Sequence, residues 1–91
     1  MTTGLPDTYL QEVRARCEVA TRGPWVASIE GRDHTSGDSV ILRGVKGSSE
    51  EDLYLSGATE ADYDFIAHSR QDILRLLDEI ERLKEIINNN K

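Results

Sequence analysis

The chain has 91 residues, a formal net charge of −6 at pH 7 and a single cysteine. This length predicts one domain, 1–91, with a small core, and the lone cysteine excludes an intrachain disulfide. The acidic balance argues against general nucleic-acid binding, because a phosphate backbone attracts proteins of the opposite charge. No basic leader and no apolar stretch of membrane-spanning length is found, which predicts a cytoplasmic protein without membrane contact.

Residues 7–22 have the pattern of an amphipathic helix, and Gly23-Pro24 predicts its end. The apolar residues recur at spacings of three and four and form one stripe: Leu10, Val13, Cys17 and Ala20. Since Cys17 lies on this stripe, we expect it to be a small buried residue of the core.

Three short segments with alternating or β-branched apolar residues predict strands at Trp25–Glu30, Ser39–Arg43 and Asp52–Ser56. The alternation places Trp25, Ala27 and Ile29 on one face, and Leu53 and Leu55 inward with Tyr54 outward. Glycine, serine and lysine over 44–51 predict a hairpin loop. We therefore predict an α+β fold: an N-terminal helix, a three-stranded antiparallel meander over 25–56 and a long C-terminal helix.

The C-terminal helix is predicted over residues 60–88, with Thr59 as N-cap and Asp62 completing a capping box. A helix of 29 residues spans roughly 43 Å, whereas a compact domain of this size is roughly 30 Å across. Part of the helix therefore needs cover from another chain.

Apolar residues on this helix repeat in heptads, with isoleucine at a and leucine at d, which favours pairs of parallel helices. We predict a homo-oligomer, a dimer or higher, in which Glu79 and Lys84 pair between chains. An antiparallel pair, a higher bundle or the core face of a monomer uses the same stripe. The predicted interface consists of Ile66, Ile73, Leu76, Leu77, Ile80, Leu83, Lys84 and Ile87.

The polar segment 30–39 links the first two predicted strands and is the candidate ligand site. Its glycines permit backbone turns that present N–H groups, and its arginine can bind a phosphate or carboxylate. The alternative is a solvated turn whose Asp and Ser side chains cap their own backbone. With two aromatic residues added as stacking surface, the predicted ligand-binding residues are Arg32, His34, Thr35, Ser36, Asp38, Ser39, Trp25 and Tyr54.

No nucleophile motif, P-loop or zinc-like spacing of ligands is found, so we predict no catalytic residues, no metal and no cofactor. His68 lies beside the apolar face of the long helix and is interpreted as a packed or surface residue.

Residues 20–25, 61–70 and 79–83 resemble a group of small uncharacterised phage and bacterial proteins. Those proteins carry a Thr-Pro-Gly-Pro-Trp turn, an Ala-Asp-x-x-Phe-Ile-Ala-x-x-Arg helix start and a Glu-Ile-Glu-Arg-Leu stretch. Arg22 stands where they usually have proline, and the segment 30–39 lies outside the similarity. The resemblance implies a phage accessory protein acting in the host cytoplasm, a class that includes oligomers sequestering nucleotide signals of bacterial immunity.

The sequence thus predicts a non-enzymatic homo-oligomer that binds a small anionic ligand, such as a nucleotide immune signal, in an anti-defence role. The alternative function is a protein–protein interaction module that docks a host protein through its helical or acidic surface. A small hydrolase with its cleft between subunits is a third hypothesis.

Overall fold

The computed structural model describes residues 4–43 and 52–90. In chain order its elements are helix α1 (Asp7–Val19), strand β1 (Trp25–Ser28), strand β2 (Val40–Arg43) and helix α2 (Glu60–Asn89). The predicted α+β class, with a helix at each end and antiparallel strands between them, is confirmed.

The chain divides into two compact units. The helical unit comprises Met1–Ala20 and Asp72–Lys91, and the sheet unit comprises Thr21–Gln71. Helix α2 therefore contributes its first part to the sheet unit and its second part to the helical unit.

Strands β1 and β2 pair antiparallel, with Ala27 opposite Ile41 at the middle of the ladder. On the other side of β2, Ile41 forms one antiparallel bridge with Leu53, through backbone hydrogen bonds of 2.9 and 2.8 Å. Within the described residues, this single bridge is the part of the strand predicted at 52–56 that is observed. The loop predicted at 44–51 lies outside them.

The core of the sheet unit is formed where the strands meet the first turns of α2. Its buried residues are Ile29, Ile41, Tyr63 and Ala67, and Trp25, Ala27, Leu53, Leu55, Ala58 and Ile66 pack against them. Side chains alternate along a strand, so Val26 and Tyr54 point outward and are 52% and 61% exposed. The predicted alternation around Trp25 and around Leu53 is therefore confirmed.

The Tyr63 hydroxyl connects helix α2 to two backbone segments of the sheet unit that lie outside the strands. It lies within 3.2 Å of the Ser39 carbonyl and 3.1 Å of the Leu55 carbonyl, and the Leu55 N–H approaches it at 3.4 Å. A buried tyrosine needs such partners, because an unpaired hydroxyl in a core is costly.

The Gln71 side chain binds the start of β1 as a neighbouring strand does. Its Oε1 accepts the Trp25 N–H at 2.7 Å, and its Nε2 donates to the Trp25 carbonyl at 3.2 Å. Both backbone groups of Trp25 are therefore satisfied by one amide group from α2.

Helix α1 ends at Val19, three residues before the predicted end. Ala20 is already extended, and the next residue, Thr21, uses its carbonyl to accept side-chain hydrogen bonds. Cys17 is buried, as predicted.

Ion pairs join α1 to the second part of α2 within the helical unit. Arg14 binds Asp78 at 3.0 Å and Glu81 at 2.7 Å, and Asp7 pairs with Lys84. The start of α1 therefore lies beside the later turns of α2, and the two segments run antiparallel. Leu77 is buried in this unit.

Helix α2 has 30 residues, which corresponds to roughly 45 Å. Its predicted capping box is confirmed, since the Thr59 N–H donates to Asp62 at 2.9 Å and the Asp62 N–H donates to Thr59 Oγ1 at 3.1 Å. The covered face of the helix follows a spacing of three and four: Tyr63, Ala67, Arg70, Leu74 and Leu77.

Candidate functional sites

The segment 30–39 folds onto itself and onto the sheet unit. The Ile29 carbonyl accepts hydrogen bonds from the Arg32 and Asp33 N–H groups, and the Asp33 carboxylate accepts the Ile29 N–H at 2.8 Å. Gly31 and Gly37 have φ values of 88° and 90°, a region that favours glycine. The segment therefore has the self-capped geometry that the alternative interpretation describes.

Arg32 is surrounded by three carboxylates. Its Nη atoms bind Asp64 through two hydrogen bonds of 2.9 and 3.1 Å and bind Glu60 at 2.9 Å, while Nε binds Asp33 at 3.0 Å. One positive charge thus faces three negative charges. The group that was predicted to attract an anion lies in a locally negative environment.

These contacts stabilise the ionised forms of Arg32, Asp33 and Asp64. The hydrogen bonds from Arg32 lower the pKa values of Asp33 and Asp64 below the usual range, and those with Asp64, Asp33 and Glu60 raise the pKa of Arg32. The network therefore holds the segment against the start of α2 most strongly when the carboxylates are charged.

The Arg32 network predicts that the stability difference between wild type and Arg32→Gln depends on pH. A carboxylate with a lowered folded-state pKa contributes stability above its unfolded pKa and loses that contribution as pH falls through the folded value. Arg32→Gln is therefore expected to lower the melting temperature near neutral pH, and the gap to wild type should close below about pH 4. Circular dichroism melts across pH 3–7 measure this.

The matched control is Arg75→Gln on helix α2. Arg75 is exposed, and its side chain makes no ion pair with any residue in 4–43 or 52–90. A constant gap between Arg32→Gln and wild type over the whole pH range contradicts the ionic role of Arg32.

His34 and Ser39 are also engaged by the sheet unit. His34 Nε2 lies 3.1 Å from the Asp38 carbonyl, which can only accept, so Nε2 donates there, and Nδ1 lies 2.9 Å from the Ser28 hydroxyl. Ser39 Oγ accepts the Glu30 N–H at 3.0 Å. Both side chains have structural partners.

Among the other predicted ligand residues, Asp38 takes part in these contacts through its backbone carbonyl. Thr35, Ser36 and Asp38 are exposed, and so is Tyr54 on its own segment. Trp25 is half-buried, and its side chain contacts a separate set of residues outside the segment 30–39.

Trp25 lies in a cluster organised by Thr21. The Thr21 carbonyl accepts Trp25 Nε1 at 3.1 Å and Arg70 Nε at 2.9 Å, and its hydroxyl accepts Arg43 Nη1 at 2.8 Å. Both guanidinium groups lie over the indole ring, with Arg43 Cζ at 5.7 Å and Arg70 Cζ at 6.0 Å from its centroid. These are cation–π distances.

The sequence interpretation included Trp25 but missed Arg43, Arg70 and Thr21. One signal was present: Arg70 falls on the three-four spacing of the covered face of α2, between Ala67 and Leu74. A charged residue at such a position indicates a specific partner, because burying it without one is unfavourable.

A second surface lies on the part of α2 that belongs to the helical unit. Five apolar residues at a and d positions form what we call the outer stripe: Ile73, Leu76, Ile80, Leu83 and Ile87. Leu76 and Ile87 are each 62% exposed, Leu83 is 45% exposed and Ile73 is 37% exposed. The described part of the helical unit leaves this face largely open.

The remaining predicted interface residues have other surroundings. Ile66 packs against the core of the sheet unit, Leu77 is buried and Lys84 is paired with Asp7. These three residues of the predicted interface therefore do not belong to the exposed apolar face of α2.

Within 4–43 and 52–90, neither helix is long and apolar enough to cross a membrane. The same residues contain no group of three or more His, Cys, Asp or Glu side chains arranged to hold a metal ion.

No protein-family model, curated protein or solved structure matches the chain. A function is therefore inferred from the geometry of the structure itself, at the outer stripe.

Proposed function

We propose that the protein is a non-enzymatic interaction module that acts as a homodimer paired through the outer stripe of α2. The observation that carries this proposal is the exposure of Leu76, Leu83 and Ile87 on one helix face. Water-exposed apolar side chains in a continuous row are unfavourable, and covering them is the main driving force for association.

The chemistry of the stripe fits a second copy of the same chain. Isoleucine at a and leucine at d pack well against themselves in parallel pairs. The stripe is flanked on one side by the exposed acids Asp72 and Glu79 and on the other by Lys84. Within the chain, Glu79 pairs with Arg82 and Lys84 with Asp7, and the pair between chains would replace these exposed contacts. In a parallel pair, the acidic flank of one copy faces the basic flank of the other, whereas an antiparallel pair brings like flanks together.

The proposal includes two further features, one of the fold and one of the biological role. The residues around Leu53 continue as a third strand beside β2, supported by the bridge between Leu53 and Ile41. A phage accessory role rests on the resemblance of the turn and of both helices. Anion binding at the segment 30–39 is not part of this proposal, because Arg32 already binds three carboxylates.

Sedimentation equilibrium of the purified chain tests the proposal. The expected result is a reversible monomer–dimer equilibrium with twice the mass of one chain at the upper concentrations. A single monomeric species at every concentration contradicts it, and a larger closed oligomer replaces the dimer with a bundle through the same stripe.

A further inference from the structure

We propose that the backbone edge at Tyr54 is a docking site for an extended peptide segment with apolar and basic side chains. The peptide adds as a strand beside Tyr54 and places alternate side chains in the neighbouring groove. This surface goes beyond the dimer interface proposed above, because it lies in the sheet unit and the outer stripe belongs to the helical unit.

The first argument is the direction of the backbone groups beside β2. Leu53 uses its N–H and its carbonyl on Ile41, and the N–H and carbonyl of Leu55 lie 3.4 and 3.1 Å from the Tyr63 hydroxyl. Backbone groups of successive residues in an extended segment point to opposite sides. The N–H and carbonyl of Tyr54 therefore point away from β2, and no residue in the described part of the chain bonds to them.

The second argument is that the opposite edge of the sheet is largely occupied. Gln71 binds both backbone groups of Trp25, and the Asp33 carboxylate accepts the N–H of Ile29 just beyond the end of β1. The chain thus covers its own backbone at both ends of this edge. Since added strands bind where backbone groups are open, the described part of the sheet favours the edge at Tyr54.

The third argument is the groove beside Tyr54. It lies between residues 54–58 and the first turns of α2, has a volume of about 520 Å³, and its lining includes Tyr54, Phe65 and Ile66. Phe65 is 74% exposed and Tyr54 is 61% exposed. Strand addition draws its affinity from main-chain hydrogen bonds and its specificity from pockets for alternate side chains. Apolar side chains of an added strand therefore cover these two rings.

The charge of this surface favours a basic peptide over a second copy of the chain. Asp62 is the one charged group among the described residues of the lining, and Asp52 precedes Tyr54 by two residues, on the same side of an extended segment. Neither carboxylate forms an ion pair within 4–43 and 52–90. Lysine or arginine on the partner complements them, whereas a second copy brings the same acids and a net charge of −6.

Hydrogen exchange of the whole isotope-labelled protein, followed by NMR, tests the open edge. The Leu53 N–H is bonded to the Ile41 carbonyl at 2.8 Å, so its protection factor should exceed that of the Tyr54 N–H by about tenfold or more. Equal protection of the two amides in the free protein overturns the proposal.

The peptide acetyl-Lys-Val-Lys-Val-Lys-amide is the ligand to titrate, at constant ionic strength. We expect saturable shifts at 53–56 and at Phe65, together with protection of the Tyr54 N–H. The same peptide with glutamate in place of lysine should bind about tenfold more weakly. Equal binding of the two peptides overturns the basic partner class, and no shift over the millimolar range overturns the docking site. Concentration-dependent shifts at 53–56 without peptide assign the edge to a second copy instead.

Two substitutions separate the backbone from the side chain. Tyr54→Ala removes the ring and keeps the N–H, whereas Tyr54→Pro also removes the donor and should weaken peptide binding about tenfold more. Val26→Ala is the control, because Val26 is 52% exposed on β1 and should leave the titration unchanged. Equal affinity in Tyr54→Ala and folded Tyr54→Pro overturns strand addition, and the wild-type titration decides the site should the proline variant fail to fold.

Leu76→Asp distinguishes this proposal from the dimer. Leu76 lies on the outer stripe in the helical unit, so the variant should bind the peptide as wild type does even when the dimer is lost. Loss of peptide binding in folded Leu76→Asp overturns the independence of the two surfaces.

Discussion

Leu76→Asp is expected to raise the dissociation constant of the proposed dimer about a hundredfold or more. A leucine that becomes buried contributes about 1.5–3 kcal/mol, and in a symmetric dimer each substitution acts twice. The new carboxylates also face each other across the interface. Sedimentation equilibrium of the variant beside wild type measures the change. The monomer should keep its fold, because Leu76 is 62% exposed within the chain.

Val19→Asp provides the matched control for this experiment. Val19 is the last residue of α1 and is 86% exposed, so the substitution adds the same charge to the helical unit away from the stripe. Its dissociation constant should stay near that of wild type. Equal dissociation in both variants points to net charge as the cause, and an unchanged constant in Leu76→Asp removes the outer stripe from the interface.

Ile41→Ala is expected to lower the free energy of unfolding by about 2–5 kcal/mol. Ile41 is fully buried between β1 and the bridge to Leu53, at the centre of the sheet unit. The substitution removes three methyl or methylene groups and leaves a cavity that the surrounding backbone hydrogen bonds prevent from closing. Because small domains are only about 5–15 kcal/mol stable, this is a large fraction of the total. Urea denaturation followed by Trp25 fluorescence measures it.

Leu42, the residue next to Ile41, supplies the control substitution. Leu42 points to the opposite face of β2 and is 41% exposed, so Leu42→Ala should cost less than about 1 kcal/mol. Similar losses in both variants contradict the assignment of the core to one face of the sheet.

Local patterns predicted the parts of this fold that depend on near neighbours in sequence. The capping box of Thr59 and Asp62, the alternation around Trp25 and the burial of Cys17 all follow from spacing along one element. The end of α1 was placed three residues too late, because the chain leaves the helix before the Gly23-Pro24 signal so that Thr21 can bind side chains.

Contacts between distant segments could not be predicted in the same way. Arg32 meets Glu60 and Asp64, which are 28 and 32 residues away, and Arg70 meets Thr21 across 49 residues. The sequence shows that these groups are charged, but only the fold shows which charges are neutralised. The same limit applies to α2. Its sequence contains two overlapping series of residues at spacings of three and four, and the sequence alone does not say which series is buried.

The amide of Gln71 has a consequence for how the chain avoids aggregation. An edge strand with open N–H and C=O groups invites further strands to add, and small proteins protect such edges. In the described part of the sheet, β1 is an edge, and Gln71 occupies both backbone groups of its first residue. A side chain of α2 thus takes the two backbone hydrogen bonds that a strand from a second molecule would otherwise form at Trp25.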